Sequence, residues 1–224
     1  MTTQSLRRFL PRPLARHILH FEFQIEDAVA RFAAALPPKA RVLDAGAGEG
    51  QYAHFFRQHR YIGVDLGIGD AAWNYAGLDA VADLTALPFP NAAFDAALNI
   101  VTLEHVREPA CVLRELARAL APGAPFLLVV PHQWEVHQAP HDYFRYTRYG
   151  VAYLLNQAGF EATTIEPAGG LFRQISRRLW TATQKIPLAA PVFVPLALAL
   201  PLLDSLDPEK DFTVGYICFA RRRR

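Results

Sequence analysis

Cysteine is scarce in this chain, which has 224 residues and only two cysteines, Cys111 and Cys218. Two cysteines so far apart form neither a disulfide framework nor a zinc knuckle, and their scarcity is typical of a reducing compartment. A strong excess of one charge is missing as well, since the formal net charge is +2. That balance gives no reason to expect nucleic acid as a partner. We therefore expect a cytoplasmic protein that does not bind nucleic acid.

Acidic residues are missing from the first part of the chain, where Glu22 is the first of them. Arginine occupies that part and the C-terminus instead, at Arg7, Arg8, Arg12, Arg16 and 221–224. No apolar h-region accompanies these arginines, so a secretory signal peptide is not predicted. The basic start resembles an organelle transit peptide or a solvated helix. Basic residues at both ends also suit an anionic membrane surface, and all three interpretations stay open.

Strand and helix patterns alternate along most of the sequence. Apolar runs predict seven strands, at residues 41–45, 61–65, 80–84, 94–100, 124–130, 160–166 and 212–220. Helical spacing predicts helices at 51–59, 109–123 and 148–159, with Thr147 as the N-cap of the last one. Apolar strands that alternate with helices form a parallel sheet covered on both faces. The predicted fold is therefore α/β, a Rossmann-like doubly wound sheet of seven strands.

Two segments lie outside this alternation. Residues 14–35 carry apolar side chains near helical spacing and predict one or two helices before Pro37 and Pro38. A long apolar excursion separates the sixth and seventh strands. We therefore predict an N-terminal helical extension at 1–38, a sheet domain at 39–166 and 211–224, and an apolar insertion at 167–210.

The turn after the first strand, VLDAGAGEGQY, carries glycines at alternate positions: Gly46, Gly48 and Gly50. In a doubly wound sheet this turn lies at the carboxyl edge, where ligands bind. Glycines let the backbone turn tightly and approach a ligand without Cβ clashes. The helix predicted after the turn would offer free N–H groups to an anionic part of that ligand. The sequence therefore predicts a ligand site at this turn.

Acidic side chains around the turn indicate which ligand it binds. Asp44, two residues before Gly46, suits an ammonium group better than the pyrophosphate of a dinucleotide, and G-A-G-E-G differs from the dinucleotide fingerprint G-x-G-x-x-G. Asp65 ends the second strand and can accept hydrogen bonds from two ribose hydroxyls. Asp83 follows the third strand and is placed to accept from an adenine amino group, with Leu84 beside the ring. Ammonium, ribose and adenine together describe S-adenosyl-L-methionine.

Five stretches in register resemble the class I S-adenosylmethionine-dependent methyltransferases, in the methyltransferase type 11-like family. They are VLDAGAGEG, YIGVDLG, ADLTALPFPNAAFDAALNIVTLEHV, LRELARALAPGAPFLLVVP and YTRYGVAYLLNQAGFE, and they cover roughly residues 40–166. The resemblance implies S-adenosyl-L-methionine as cofactor and an antiparallel last strand. It also implies a cofactor site formed by Asp44, Ala45, Gly46, Gly48, Gly50, Tyr52, Asp65, Leu66, Asp83, Leu84 and Asn99. Glu104-His105 matches the family's E-H, where His105 is either catalytic or a hydrogen-bonding residue at a helix start.

An aromatic and histidine-rich stretch, PHQWEVHQAPHDYFRYT at 131–147, follows the fifth strand on the same carboxyl edge. We interpret it as a wall of the acceptor pocket, with His137 or His141 as general base and Tyr143, Arg145 and Tyr146 as acceptor contacts. Arg145 would bind an anion or carboxylate. The alternative is a connector whose aromatic side chains pack into the core. The histidines of this proline-broken loop form no helical ligand pair, so no metal site is predicted.

The insertion contains residues 186–203, a run without any charge that approaches the length of a membrane-spanning helix. Pro187, Pro191, Pro195 and Pro201 argue against a regular helix across a bilayer. The run would cover its own domain, pack against a second subunit in a homodimer, or dip into one leaflet. The basic residues that precede it (Arg173, Arg177, Arg178 and Lys185) favour a peripheral position at the inner face of the membrane.

The predicted activity is methyl transfer from S-adenosyl-L-methionine to an O, N or C nucleophile. The acceptor would be a small molecule, hydrophobic or lipid-linked. One alternative is a methyltransferase-like binding module without catalysis. Another is a nicotinamide-dependent oxidoreductase of the Rossmann class, against which the glycine spacing after Asp44 argues.

Overall fold

The computed structural model describes residues 11–69 and 72–224. Its strands are β1 Arg41–Ala45, β2 Arg60–Asp65, β3 Ala80–Val81, β4 Ala96–Ile100, β5 Pro125–Pro131, β6 Phe160–Pro167 and β7 Gly215–Arg222. Its α-helices are α1 Arg12–Ile18, α2 His20–Ala34, α3 Pro109–Ala119, α4 Arg148–Gln157, α5 Leu171–Lys185 and α6 Ala190–Ala199. The predicted strands are all present, although β3 is shorter than expected.

The strands form one seven-stranded sheet in the order β3-β2-β1-β4-β5-β7-β6. β1 lies parallel to β2 and β4, β3 is parallel to β2, and β5 is parallel to β4. β7 is antiparallel. The chain reverses its direction of winding between β1 and β4, and this is where ligands bind in doubly wound sheets. The predicted Rossmann-like fold with an antiparallel last strand is confirmed.

Burial explains why these segments form strands and helices. All five residues of β4 are buried, as are six of the seven in β5, which is expected for central strands covered on both faces. On α3 the buried side chains recur at helical spacing and include Val112, Leu113 and Leu116. The predicted N-cap of α4 is confirmed, since Thr147 Oγ1 accepts a hydrogen bond from the Gly150 amide at 3.0 Å.

The helix predicted at 51–59 is wrong. This stretch forms a short 3-10 helix at Ala53–Phe56, with the buried Phe56 side chain anchoring it in the core. A 3-10 helix rises about 2.0 Å per residue against 1.5 Å for an α-helix. The stretch Ala53–Phe56 is therefore more extended per residue than the predicted α-helix. No α-helix N-terminus follows the turn.

The described chain divides into two compact units. One comprises the chain up to Ile25 together with Pro167–Gly215, and the other comprises Glu26–Glu166 with Tyr216–Arg224. The first unit contains the apolar insertion, where α5, α6 and short 3-10 helices follow one another. Within it, Ala15, Leu19 and Phe23 form a small core against Trp180. The second unit contains the glycine turn and the main hydrophobic core.

Candidate cofactor and acceptor site

The first glycine of the turn, Gly46, has a φ of +88° and no room for a side chain. A Cβ atom there would lie 2.2 Å from Thr102 Cγ2, which follows β4. At Gly48, with a φ of +54°, a Cβ would lie 3.3 Å from the Trp73 ring. Both positions require glycine for conformation and for space. Thr102 and Trp73 are not among the predicted site residues, although a polar residue soon after a buried strand was a usable signal for Thr102.

Asp44 is buried at the end of β1, and its two carboxylate oxygens differ. Oδ2 accepts a hydrogen bond from the Tyr61 hydroxyl at 2.6 Å. Oδ1 has no hydrogen-bond partner within residues 11–69 and 72–224. Burial raises the pKa of Asp44 to about 7, the Tyr61 hydrogen bond opposes this, and the nearby charge of Asp65 adds to it. A cationic group would satisfy Oδ1 and favour the ionised carboxylate.

Asp65 ties the glycine turn to the end of β2. Its Oδ2 accepts from the Gly48 amide at 2.9 Å and its Oδ1 accepts from the Gly67 amide at 2.8 Å. Each carboxylate oxygen has a second lone pair, so Asp65 can still accept two hydroxyl groups. Leu66 and Trp73 remain 44% and 37% exposed beside it. These positions fit a ribose with an apolar ring next to it.

Some of the remaining predicted cofactor residues are buried and hold strands together, and others are exposed or lie in turns. Asn99, buried in β4, donates from Nδ2 to the Ala45 carbonyl at 2.7 Å and so holds the ends of two strands together. Asp83 is exposed, and its Oδ1 accepts from the Thr85 amide and hydroxyl, both at 2.8 Å, as a turn residue does. Leu84 is buried. Gly50 and Tyr52 lead into the 3-10 helix.

Four backbone amides of the turn itself already donate hydrogen bonds within the protein. The Gly46 and Ala47 amides donate to the Val64 carbonyl, at 2.7 and 3.0 Å, and the Gly50 amide donates to the Ala47 carbonyl at 2.8 Å. The Gly48 amide donates to Asp65. These four amides are therefore not available to a ligand, whereas the carboxylates of Asp44 and Asp65 lie beside the turn.

Arg145, predicted to contact the acceptor, is an internal support of the loop at 131–147. Two of its N–H groups donate to Asp142, at 2.6 and 2.8 Å. The others donate to the carbonyls of Trp134, Glu135 and Phe144. A guanidinium has five N–H donors, so this set uses all of them. The geometry gives no support to an acceptor contact by Arg145.

Replacing Arg145 with lysine should lower the free energy of unfolding by about 2 kcal/mol, because several hydrogen bonds within the loop are lost. Urea unfolding of the purified variant measures this. If Arg145 binds the acceptor instead, the variant would keep its stability and show only a raised KM.

The two predicted tyrosines have different surroundings. Tyr146 is buried, and its hydroxyl donates to the Leu103 carbonyl at 2.9 Å, while burial raises its pKa. Tyr143 is 36% exposed. Its hydroxyl accepts from Arg107 Nε at 3.2 Å and lies 3.2 Å from His141 Nδ1. Tyr143 is therefore accessible to an acceptor. The Tyr146 hydroxyl instead links the loop to Leu103, which follows β4.

Of the three predicted catalytic histidines, only His105 and His137 bring their rings together, while His141 adjoins His105 through its backbone. His105 Nδ1 lies 2.6 Å from the His141 carbonyl, and the rings of His105 and His137 meet edge to face at 4.7 Å. Glu104, fully buried beside them, has no hydrogen-bond partner on either carboxylate oxygen in the part of the chain that the structure describes. Burial raises the pKa of Glu104 to about 8 and lowers that of His105. The His141 side chain is partly exposed.

Residues 16–164 match the family described as methyltransferase domain, and the chain belongs to it. The family is that of the class I S-adenosylmethionine-dependent methyltransferases, as the sequence predicted. A fatty-acid O-methyltransferase from Mycolicibacterium smegmatis is 38% identical over 97 residues, which cover 39% of this chain and 35% of that protein. The chain spans about a third of the length of the curated relatives it matches first.

Solved methyltransferases share the fold. The Burkholderia thailandensis 1,6-didemethyltoxoflavin-N1-methyltransferase, solved with 1,6-didemethyltoxoflavin and S-adenosylhomocysteine, superposes with a TM-score of 0.58 at 21% identity, covering 88% of this chain and 77% of that one. An S-adenosylmethionine-dependent methyltransferase from Mesorhizobium loti gives 0.54 at 20% identity, covering 84% and 94%. At these identities the likeness concerns the fold alone.

Proposed function

We propose that this protein transfers a methyl group from S-adenosyl-L-methionine to a small apolar or lipid-linked acceptor. The observation that carries the proposal is the buried Asp44 Oδ1, which lacks a partner within residues 11–69 and 72–224 and lies at the glycine turn. A buried unpartnered carboxylate oxygen is costly unless a ligand group satisfies it. The ammonium group of S-adenosyl-L-methionine is a group of that kind.

The bound cofactor supplies an electrophilic methyl group on a sulfonium. The protein has to hold it in line with the acceptor and exclude water. In this proposal Asp44 pairs with the ammonium group, Asp65 accepts the ribose hydroxyls, and Leu66 and Trp73 contact the adenine ring. Proton removal from the acceptor by His105, His137 or His141 stays a prediction. Whether O, N or C is methylated decides if that step is needed.

An apolar acceptor is supported by two observations. The named relative with 38% identity over 97 residues is a fatty-acid O-methyltransferase. In this chain, the helical segment Pro187–Leu206 has a mean hydropathy of 1.8 and is long and apolar enough to cross a membrane, by length and composition. Only 11% of an 18-residue stretch of this segment is buried. So much exposed apolar surface marks an interaction site for a lipid or a partner.

We assign this segment to one leaflet of an anionic membrane. The α-helix within it, α6, has 10 residues and is about 15 Å long, half of a hydrocarbon core of about 30 Å. Exposed side chains cover the segment, including Leu188 at 92%, Val192 at 60% and Leu202 at 74%. Lys185 and Arg178 on the preceding helix are exposed and suit anionic headgroups. The protein would work at the inner face of the membrane.

Calorimetric titration with S-adenosylhomocysteine tests the cofactor part of the proposal. We expect saturable binding with one site per chain. Failure to bind S-adenosylhomocysteine would remove the basis for an S-adenosylmethionine-dependent activity, and a parallel titration with NAD would then test the oxidoreductase alternative.

The affinity for S-adenosylhomocysteine should rise about eightfold to tenfold between pH 6 and pH 8. With a pKa of about 7, Asp44 is about one tenth ionised at pH 6 and about nine tenths ionised at pH 8. Only the ionised form pairs with the ammonium group, so binding strengthens as the pH rises through the pKa. In the Asp44→Asn variant the rise should vanish; a rise that survives there would exclude Asp44 as its source.

A further inference from the structure

The side chains of Glu104, His105 and His137 lie together at the carboxyl edge of the sheet, in the unit that contains the glycine turn. Glu104 and His105 lie in the 3-10 helix Leu103–His105 directly after β4, and His137 lies in the loop after β5. Glu104 Oε1 lies 3.7 Å from His105 Nε2 and 3.8 Å from His137 Nε2. We propose that these three atoms bind a divalent transition-metal ion of the zinc class.

The hydrogen bonds of the two histidines fix which ring nitrogens face the centre. His105 Nδ1 lies 2.6 Å from the His141 carbonyl, and His137 Nδ1 lies 3.1 Å from the Glu135 carbonyl. A carbonyl oxygen can only accept, so each Nδ1 carries the hydrogen and each neutral ring keeps its lone pair on Nε2. Two nitrogen lone pairs and a carboxyl oxygen therefore face one another, and a bound metal ion would satisfy all three.

Distances favour a metal ion over a shared proton. Separations of 3.7 and 3.8 Å exceed the range of N–H···O hydrogen bonds, which ends near 3.2 Å. Tetrahedral zinc with bonds of about 2.1 Å holds neighbouring ligand atoms about 3.4 Å apart. The two distances from Glu104 are therefore within a few tenths of an ångström of that value, and all three ligand atoms lie within 4.8 Å of one another. Both oxygens of Glu104 are fully buried and have no hydrogen-bond partner in the described chain.

The surroundings of the three ligands resemble the outer shell of a metal site. Metal-binding histidines usually donate their other N–H to a carbonyl or a carboxylate, as His105 and His137 do. Asp142 accepts from the His137 amide at 2.8 Å and is itself held by Arg145. Two imidazoles and one carboxylate suit zinc, iron or nickel better than magnesium or calcium. The His105 side chain is 12% exposed and that of His137 is 25% exposed, which leaves an access path.

The spacing of the histidines within the loop at 131–147 predicts no metal site, since only one of the proposed ligands lies in that loop. His132 packs against Tyr216 and the His141 side chain lies beside Tyr143, so neither belongs to this group. Two of the proposed ligands come from the end of β4 instead. Their proximity to His137 depends on β4 and β5 being neighbours in the sheet.

Calorimetric titration of the chelator-treated chain with Zn²⁺, and visible absorption spectra with Co²⁺, test the proposal. We expect one ion per chain, a Co²⁺ spectrum that shows nitrogen ligands, and a higher melting temperature with the metal. Glu104→Gln and His137→Asn should each lower the affinity at least about 100-fold. His141→Gln is the matched control, because it lies in the same loop and keeps the carbonyl that orients His105; its affinity should change less than about twofold.

Circular dichroism of each variant without metal shows whether it is folded, and only folded variants enter the comparison. Glu104→Gln keeps the shape of the side chain and is therefore the decisive variant. Absence of binding in the unsubstituted chain, or equal affinity in the folded Glu104→Gln variant, would overturn the proposal. If Glu104 is instead protonated and the site holds no metal, the unsubstituted chain will show no binding. Binding of S-adenosylhomocysteine is measured on the same samples, so loss of the metal site and failure of the cofactor site are told apart.

Discussion

Replacing Asp65 with alanine should lower the affinity for S-adenosylhomocysteine about 100-fold or more. In the proposed complex the carboxylate accepts two ribose hydroxyls, and each hydrogen bond to a charged group contributes about 1.5–3 kcal/mol. Two such bonds correspond to at least about a hundredfold in affinity. The substitution also removes the acceptor that Asp65 provides to the Gly48 and Gly67 amides. The glycine turn then loses its attachment to β2, and isothermal titration calorimetry measures the combined effect.

Two further variants separate these contributions. Asp65→Asn keeps one carbonyl oxygen for a backbone amide but loses the charge, and it should bind with an affinity between those of the unsubstituted and alanine forms. Glu161→Ala removes an exposed carboxylate on β6 and should bind as the unsubstituted chain does. A folded Asp65→Ala variant with undiminished affinity would show that the ribose is not held at β2.

Replacing Leu188, Val192, Leu196 and Leu202 with serine should reduce binding to anionic vesicles at least about 100-fold. These side chains are 92%, 60%, 46% and 74% exposed, so their replacement leaves the core intact. Burying a leucine or valine in an apolar phase contributes about 1.5–3 kcal/mol. Four such side chains together contribute about 6–12 kcal/mol. Half of the lower value, about 3 kcal/mol, already exceeds the roughly 2.7 kcal/mol that corresponds to a hundredfold change in affinity. Co-sedimentation with vesicles that contain phosphatidylglycerol measures it.

The matched control replaces Tyr149 and Tyr153, which are 75% and 65% exposed on α4, with serine. That variant should sediment with the vesicles as the unsubstituted chain does. If the unsubstituted chain ignores anionic vesicles, the membrane assignment is wrong. If it instead forms a dimer that the four substitutions dissociate, the apolar segment is a subunit interface. Size-exclusion chromatography distinguishes the two outcomes.

The fold was predictable because its signals are local. β4 and β5 are apolar runs that could only be buried strands, and Thr147 and Gly159 mark the ends of α4 in the sequence. The helix expected at 51–59 failed because its apolar residues suit either helix type. Which of the two forms depends on the tertiary structure, and the sequence alone does not show it.

For the candidate site, the sequence indicates positions, such as glycines in a turn and acidic residues at strand ends, rather than contacts. Gly46 and Gly48 were recognisable from their spacing, and Asp44 and Asp65 from their places at strand ends. Tyr61 and Thr102 contact this turn from neighbouring strands, and such contacts depend on sheet order. Arg145 has the residue type of an anion contact, but Asp142 and three carbonyls use all its donors. Which groups a side chain binds depends on the tertiary structure, and the residue type alone does not determine it.

The most direct test of the central claim is transfer of a labelled methyl group from S-adenosyl-L-methionine to cell extracts separated into lipid and aqueous fractions. We expect label to enter the lipid fraction with the unsubstituted chain and not with Asp65→Ala. Transfer only to aqueous molecules would contradict the proposed apolar acceptor. Binding of S-adenosylhomocysteine without transfer to either fraction would contradict the enzyme assignment and favour a binding module.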